Sequence, residues 1–128
     1  MTKINVLIAD DMEIILQMLK DMLETNEEIN VIGCAQDGEE AYEKILDLHP
    51  DLVFTDNTMP KMNGIDLITK INELHLEKNP QFVLVTGDKN LNLFQRANDQ
   101  KVIKIIQKPI CDVGILEECI EKYKEIKE

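Results

Sequence analysis

Several things are scarce in this chain, and each scarcity narrows what it does. Bases are few: 14 Lys and Arg stand against 25 Asp and Glu, for a formal net charge of -11 and a pI near 4.6. Such a surface repels phosphate backbones, so direct nucleic-acid binding is not expected, and a cationic partner surface or a metal ion suits it better. Long apolar runs are also missing. Val6 to Ala9 is the longest near the amino terminus, far short of a membrane span or a signal peptide, so no membrane association is expected. The three cysteines, Cys34, Cys111 and Cys119, are unevenly spaced and form no C-x-x-C pair. They read as reduced thiols of a cytoplasmic protein rather than a disulfide frame or a zinc site. The two histidines, His49 and His75, each fall near the end of a predicted helix and are expected to be exposed loop residues. Repeats, low-complexity segments and linkers are lacking too.

What is present is a core. The chain has 128 residues, 44% of them apolar, which suits one domain that buries roughly two-thirds of its unfolded surface. Residues 1–128 are therefore expected to form a single domain. Short apolar runs occur at 4–9, 29–35, 52–55, 82–85 and 102–106, each the length of a buried strand. Between them, apolar residues recur three or four apart: Ile15, Leu19 and Met22; Ala41, Ile45 and Leu48; Ile65, Ile68, Ile71 and Leu74; Leu91, Phe94 and Ala97; Leu116, Ile120 and Tyr123. These stripes predict helices with core faces. Five β-α units predict an α/β domain built on a parallel sheet.

Polar residues sit at one kind of place on that scaffold. Asp10 and Asp11 follow the first strand, Asp56 the third, Thr86 the fourth and Lys108 the fifth. All five mark carboxyl ends of strands, the edge at which open α/β sheets build their sites. Each has an innocent explanation alone. Asp11 could cap the first helix, Asp56 could stabilise its own turn, Thr86 could cap the fourth helix, and Lys108 could be a solvated loop lysine. Those explanations leave the shared edge unaccounted for. Three crowded carboxylates repel one another unless a cation joins them or one binds a proton. Carboxylate and carbonyl oxygens with open water positions suit Mg²⁺, and a lysine with a hydroxyl beside them can hold phosphoryl oxygens. The set supports attack by a carboxylate on phosphorus to give an aspartyl phosphate.

The stretches "VLIADD", "PDLVFTDNTMPKMNG", "VLVTG" and "QKP" resemble the four signatures of response-regulator receiver domains, the CheY-like family of two-component signal transduction. The intervals agree, with 45 residues from Asp11 to Asp56, 30 on to Thr86 and 22 more to Lys108, and the likeness spans essentially the whole chain. The resemblance implies a flavodoxin-like (βα)5 doubly wound sheet of strand order 2-1-3-4-5, whose crevice between strands one and three would hold the acids. It implies that Asp56 is the phosphoacceptor. Asp11 would bind Mg²⁺ directly, Asp10 mainly through water, and the main-chain carbonyl of Thr58 would complete the protein ligands. Thr86 would hydrogen-bond the phosphoryl group, Lys108 would pair with Asp56 and then with the phosphate, and Gly87 would leave room at the site mouth. The implied donor is a phosphohistidine on a sensor histidine kinase or phosphotransfer protein, and the output is a downstream protein or a C-terminal output domain.

Two positions depart from the family pattern. Asn57 is polar where receivers usually carry an apolar or bulky residue. Ile105 stands where a Tyr or Phe usually turns inward on activation, which bears on the switch and not on the acceptor chemistry. A metal-dependent phosphatase would usually carry a second acid two residues past its nucleophile, where this chain has Thr58. A docking pseudo-receiver would be expected to have lost some of the five residues, and none is lost.

Overall fold

The computed structural model describes residues 3–110 and 112–127. Strand and helix alternate five times: β1 (Ile4–Ala9), α1 (Glu13–Leu23), β2 (Ile29–Ala35), α2 (Gly38–Leu48), β3 (Leu52–Asp56), α3 (Gly64–Glu73), β4 (Gln81–Thr86), α4 (Leu91–Asp99), β5 (Lys104–Gln107) and α5 (Val113–Lys127). All strand pairs are parallel and the sheet order is β2-β1-β3-β4-β5, as the flavodoxin-like reading expects.

Successive side chains of a strand point to opposite faces, and here each face meets its own apolar layer. Val6, Ile8, Phe54, Val83 and Val85 pack with Leu16, Leu19 and Leu23 of α1 and with Leu116, Cys119 and Ile120 of α5. On the other face, Leu7, Val53, Phe82 and Leu84 pack with residues of α2, α3 and α4. A sheet covered on both sides needs strands that are apolar throughout, and β3 is buried along its whole length.

The helical stripes are displaced from expectation at several places. In α1 the buried residues are Leu16, Leu19 and Leu23, while Ile15 and Met22 are only partly buried. Leu48 and Leu74 are exposed because each stands at or just past a helix end, beyond the last turn that packs on the sheet. Leu91 opens α4 and is 78% exposed; Leu93 and Ala97, four apart, carry that helix's core face instead. The fifth strand begins two residues later than its apolar run, at Lys104. His49 and His75 are exposed at the ends of α2 and α3, as read from the sequence. Cys34 and Cys119 are free thiols, with Cys119 buried, and Cys111 lies outside the described residues.

Candidate functional site

The sheet delivers five polar residues to one edge. The turn after β1 presents Asp10, 1% exposed, and Asp11, which is open to solvent. The Asp10 N–H donates to the Ala35 carbonyl at 3.0 Å, and its Oδ1 accepts the Met12 N–H at 2.9 Å. Asp10 thus supports the start of α1, the role that the sequence alone allowed for Asp11. β3 ends on Asp56, 6% exposed, and β4 ends on Thr86, buried. Lys108 follows β5; its N–H donates to the Thr86 carbonyl at 2.9 Å, and the Lys108–Pro109 peptide is cis.

These residues meet. One carboxylate oxygen from each of Asp10, Asp11 and Asp56 lies within 4.8 Å of the others. The Lys108 ammonium bridges two of them, 2.8 Å from Asp10 Oδ2 and 3.3 Å from Asp56 Oδ2. It is no solvated loop lysine. Burial pushes the Asp56 carboxyl above its ordinary value and Asp10 adds to the push, while Lys108 and the main-chain N–H of Asn57 draw it down. Burial alone would lower the Lys108 ammonium, but its hydrogen bond to Asp10 and the charges of Asp56 and Asp10 hold it above its usual range. One ammonium against three acids leaves an excess of negative charge around a shared oxygen-only donor set. That is the setting of a hard divalent cation, with Asp11 on the open side where water can complete the shell. The residues present therefore fit Mg²⁺.

The remaining predicted residues border this cluster or lie away from it. The Thr86 hydroxyl accepts the Asp88 N–H at 3.0 Å, a local turn, and the cap of α4 is Asn90 rather than Thr86. Gly87 is exposed, and a Cβ built on it would meet nothing within 4 Å, so the space beside Thr86 is open. Thr58 is exposed on the loop between β3 and α3. Ile105 does not join the acids: it is partly buried on the α2–α4 side of the sheet and borders an apolar depression with Lys89, Phe94 and Gln107.

Sequence reading missed how the β3–α3 loop is fastened. Asn57 departs from the family pattern as a polar residue, and its carbonyl accepts the Gly64 N–H at 2.8 Å while its Oδ1 accepts the Ile65 N–H at 3.1 Å. Asn63 caps α3, accepting the Asp66 N–H at 2.9 Å. An Asn ahead of a helical stripe was a legible capping signal. The eight-residue reach from Asn57 to Ile65 matches no local capping pattern. A Cβ on Gly64 would stand 2.2 Å from the Asp56 carbonyl oxygen, so only glycine lets α3 start there.

A parallel sheet of this order, with acids, hydroxyl and lysine gathered at its carboxyl edge, defines a doubly wound α/β domain with a phosphoryl-type site. The response regulator receiver domain family matches residues 6–120, and the chain belongs to that family. It is 35% identical over 126 residues to the protein-glutamate methylesterase/protein-glutamine glutaminase of Hydrogenovibrio crunogenus, a match covering 98% of this chain and 32% of that protein. Among solved structures it resembles the REC domain of AraT, a response regulator from Geobacillus stearothermophilus, with 35% identity and a TM-score of 0.81 over 94% of this chain and 92% of that one. It also resembles a chain of the CheX-CheY-BeF3-Mg complex from Borrelia burgdorferi, with 28% identity and a TM-score of 0.83 over 99% and 91% of the two chains. The chain spans about a third of the length of the first curated relatives it matches. As a receiver domain it fits a phosphoacceptor role in two-component signalling, and neither the phosphatase nor the docking pseudo-receiver is favoured. No helix among the described residues is long and apolar enough to cross a membrane.

Proposed function

We propose that residues 1–128 act as one receiver domain in which Asp56 is the phosphoacceptor, and that the domain is cytoplasmic and not itself an enzyme. The observation that carries this reading is the cluster of Asp10, Asp11 and Asp56 bridged by Lys108. Asp11 and Asp56, the Thr58 carbonyl and, through water, Asp10 would hold Mg²⁺. When bound, the ion offsets charge on phosphoryl oxygens that would otherwise repel the acids. An Asp56 oxygen attacks the phosphorus of a phosphohistidine; the O–P bond forms as the P–N bond breaks, and the electron pair leaves on the imidazole. Lys108 releases its contact with Asp56 and pairs with the phosphoryl group. Thr86 gives up its turn with Asp88 and donates its hydroxyl to a phosphoryl oxygen in the open space beside Gly87.

The donor is a sensor histidine kinase or a phosphotransfer protein, and the recipient of the signal is a downstream protein or an output domain. Movement of Thr86 pulls on the loop into α4, and Ile105, a stiff β-branched residue, repacks in place of a turning ring. The surface of α4, β5 and α5 would carry the result.

The test is labelling with a small phosphodonor and Mg²⁺. Wild-type protein should gain one phosphoryl group by mass spectrometry, and Asp56→Ala should gain none while keeping its fold by circular dichroism. Equal labelling of both proteins overturns the assignment.

A further inference from the structure

The backbone N–H groups of a helix's first turn have no partner inside the helix and must find acceptors outside it. In α3 those of Gly64 and Ile65 go to the carbonyl and the Oδ1 of Asn57, and that of Asp66 goes to Asn63. Two of the three acceptors therefore belong to the residue covalently joined to Asp56. An apolar residue at position 57 could supply the carbonyl but not the side-chain oxygen. Ile65 is buried, where an N–H left unpaired is costly, so losing Oδ1 shifts the loop or the helix end rather than leaving both in place. The loop itself is tightly held between these points: the Met62 N–H donates to the Pro60 carbonyl at 2.7 Å, the Gly38 N–H to the same carbonyl at 3.3 Å, and Lys61 has a φ of 70°.

We propose that Asn57 is a positioning residue for the acid site, coupling the amino end of α3 to the placement of Asp56 and of the Thr58 carbonyl. The inference rests on the reading of Asp56 and Mg²⁺ given above. Its consequence is reciprocal: the hydrogen bonds at the start of α3 favour Mg²⁺ binding, and Mg²⁺ binding protects those hydrogen bonds.

Asn63 provides the control, since it caps the same helix from a residue that does not adjoin Asp56. Asn57→Leu and Asn63→Ala should both lower the melting temperature. Only Asn57→Leu should also weaken Mg²⁺ binding, by about tenfold in a titration, the effect typical of residues that orient metal ligands. In wild-type protein, hydrogen exchange of the Ile65 amide should slow when Mg²⁺ is added, a measurement that stands even if Asn57→Leu does not fold. Asn57→Leu with wild-type Mg²⁺ affinity, an equal loss in Asn63→Ala, or an Ile65 amide indifferent to Mg²⁺ each overturns the proposal. Wild-type protein that binds no Mg²⁺ overturns the reading of the site and this inference with it, a result distinct from an unaffected variant of a protein that binds.

Discussion

β3 has an aspartate at each end, and the two live differently. Asp51, just before the strand, is fully partnered. Its Oδ2 accepts the Asn5 N–H at 2.8 Å, its Oδ1 lies 3.0 Å from the Lys78 ammonium, its N–H donates to the Asn5 carbonyl at 2.8 Å, and its carbonyl accepts the Gln81 N–H at 3.0 Å. It staples β1, β3 and β4 together. Asp56, five residues on, is more deeply buried, shares one lysine with Asp10, and crowds two other acids. The same residue type is thus a structural clamp where every polar atom has its own partner, and a member of a crowded acid cluster where two buried carboxylates share one lysine. Unmet charge, rather than carboxylate identity, separates a site from a scaffold.

The largest effect expected is at the carboxyl end, and it comes from a glycine. Gly64→Ala drives a Cβ against the Asp56 carbonyl, and it should cost on the order of 2–3 kcal/mol as α3 or the strand end gives way. Denaturant unfolding measures the cost, and labelling of Asp56 should fall with it. An alanine that leaves both unchanged would show that α3 does not brace Asp56.

Next comes the clamp. Asp51→Ala leaves the Asn5 N–H without its acceptor and should cost about 1–2 kcal/mol, with Mg²⁺ affinity unchanged. Asp56→Asn should do the reverse: no loss of stability in chelator, and loss of the stabilisation that Mg²⁺ gives wild-type protein, on the order of 1–3 kcal/mol at saturation. Equal losses in both variants would erase the contrast between the two ends.

The smallest effect is a pH dependence. Because burial holds the Asp56 carboxyl above its ordinary 3.8, the folded protein keeps that proton after the unfolded chain has released it. Stability therefore falls as pH rises from below the unfolded value through the raised folded one. In chelator, the advantage of Asp56→Asn over wild type should grow across that window and then level off, as read by melts from acid to neutral pH. Lys108 works at the other extreme. Its raised ammonium contributes stability that is present below its ordinary 10.5 and lost as pH climbs through the higher folded value.

The sequence alone is enough for the order of strands and helices along the chain, because unbroken apolar runs mark strands covered on both faces and a 3.6-residue apolar period marks the helices. It also marked Asp10, Asp11, Asp56, Thr86 and Lys108 as candidates, because strand ends are visible where apolar runs stop. Tertiary structure decided the rest. Which of Asp10 and Asp11 is buried depends on how the turn after β1 meets β2, through the Ala35 carbonyl. That Leu93 and not Leu91 faces the core depends on where α4 begins against the sheet. Asn57 is only a departure from the family pattern in the sequence, whereas in the fold its Oδ1 reaches an amide eight residues away, and the need for glycine at position 64 comes from the Asp56 carbonyl that stands against the place of a Cβ. A hydrogen bond across a loop and a van der Waals contact between backbones leave no periodic trace in a sequence, since both are set by the distance between elements that only packing fixes.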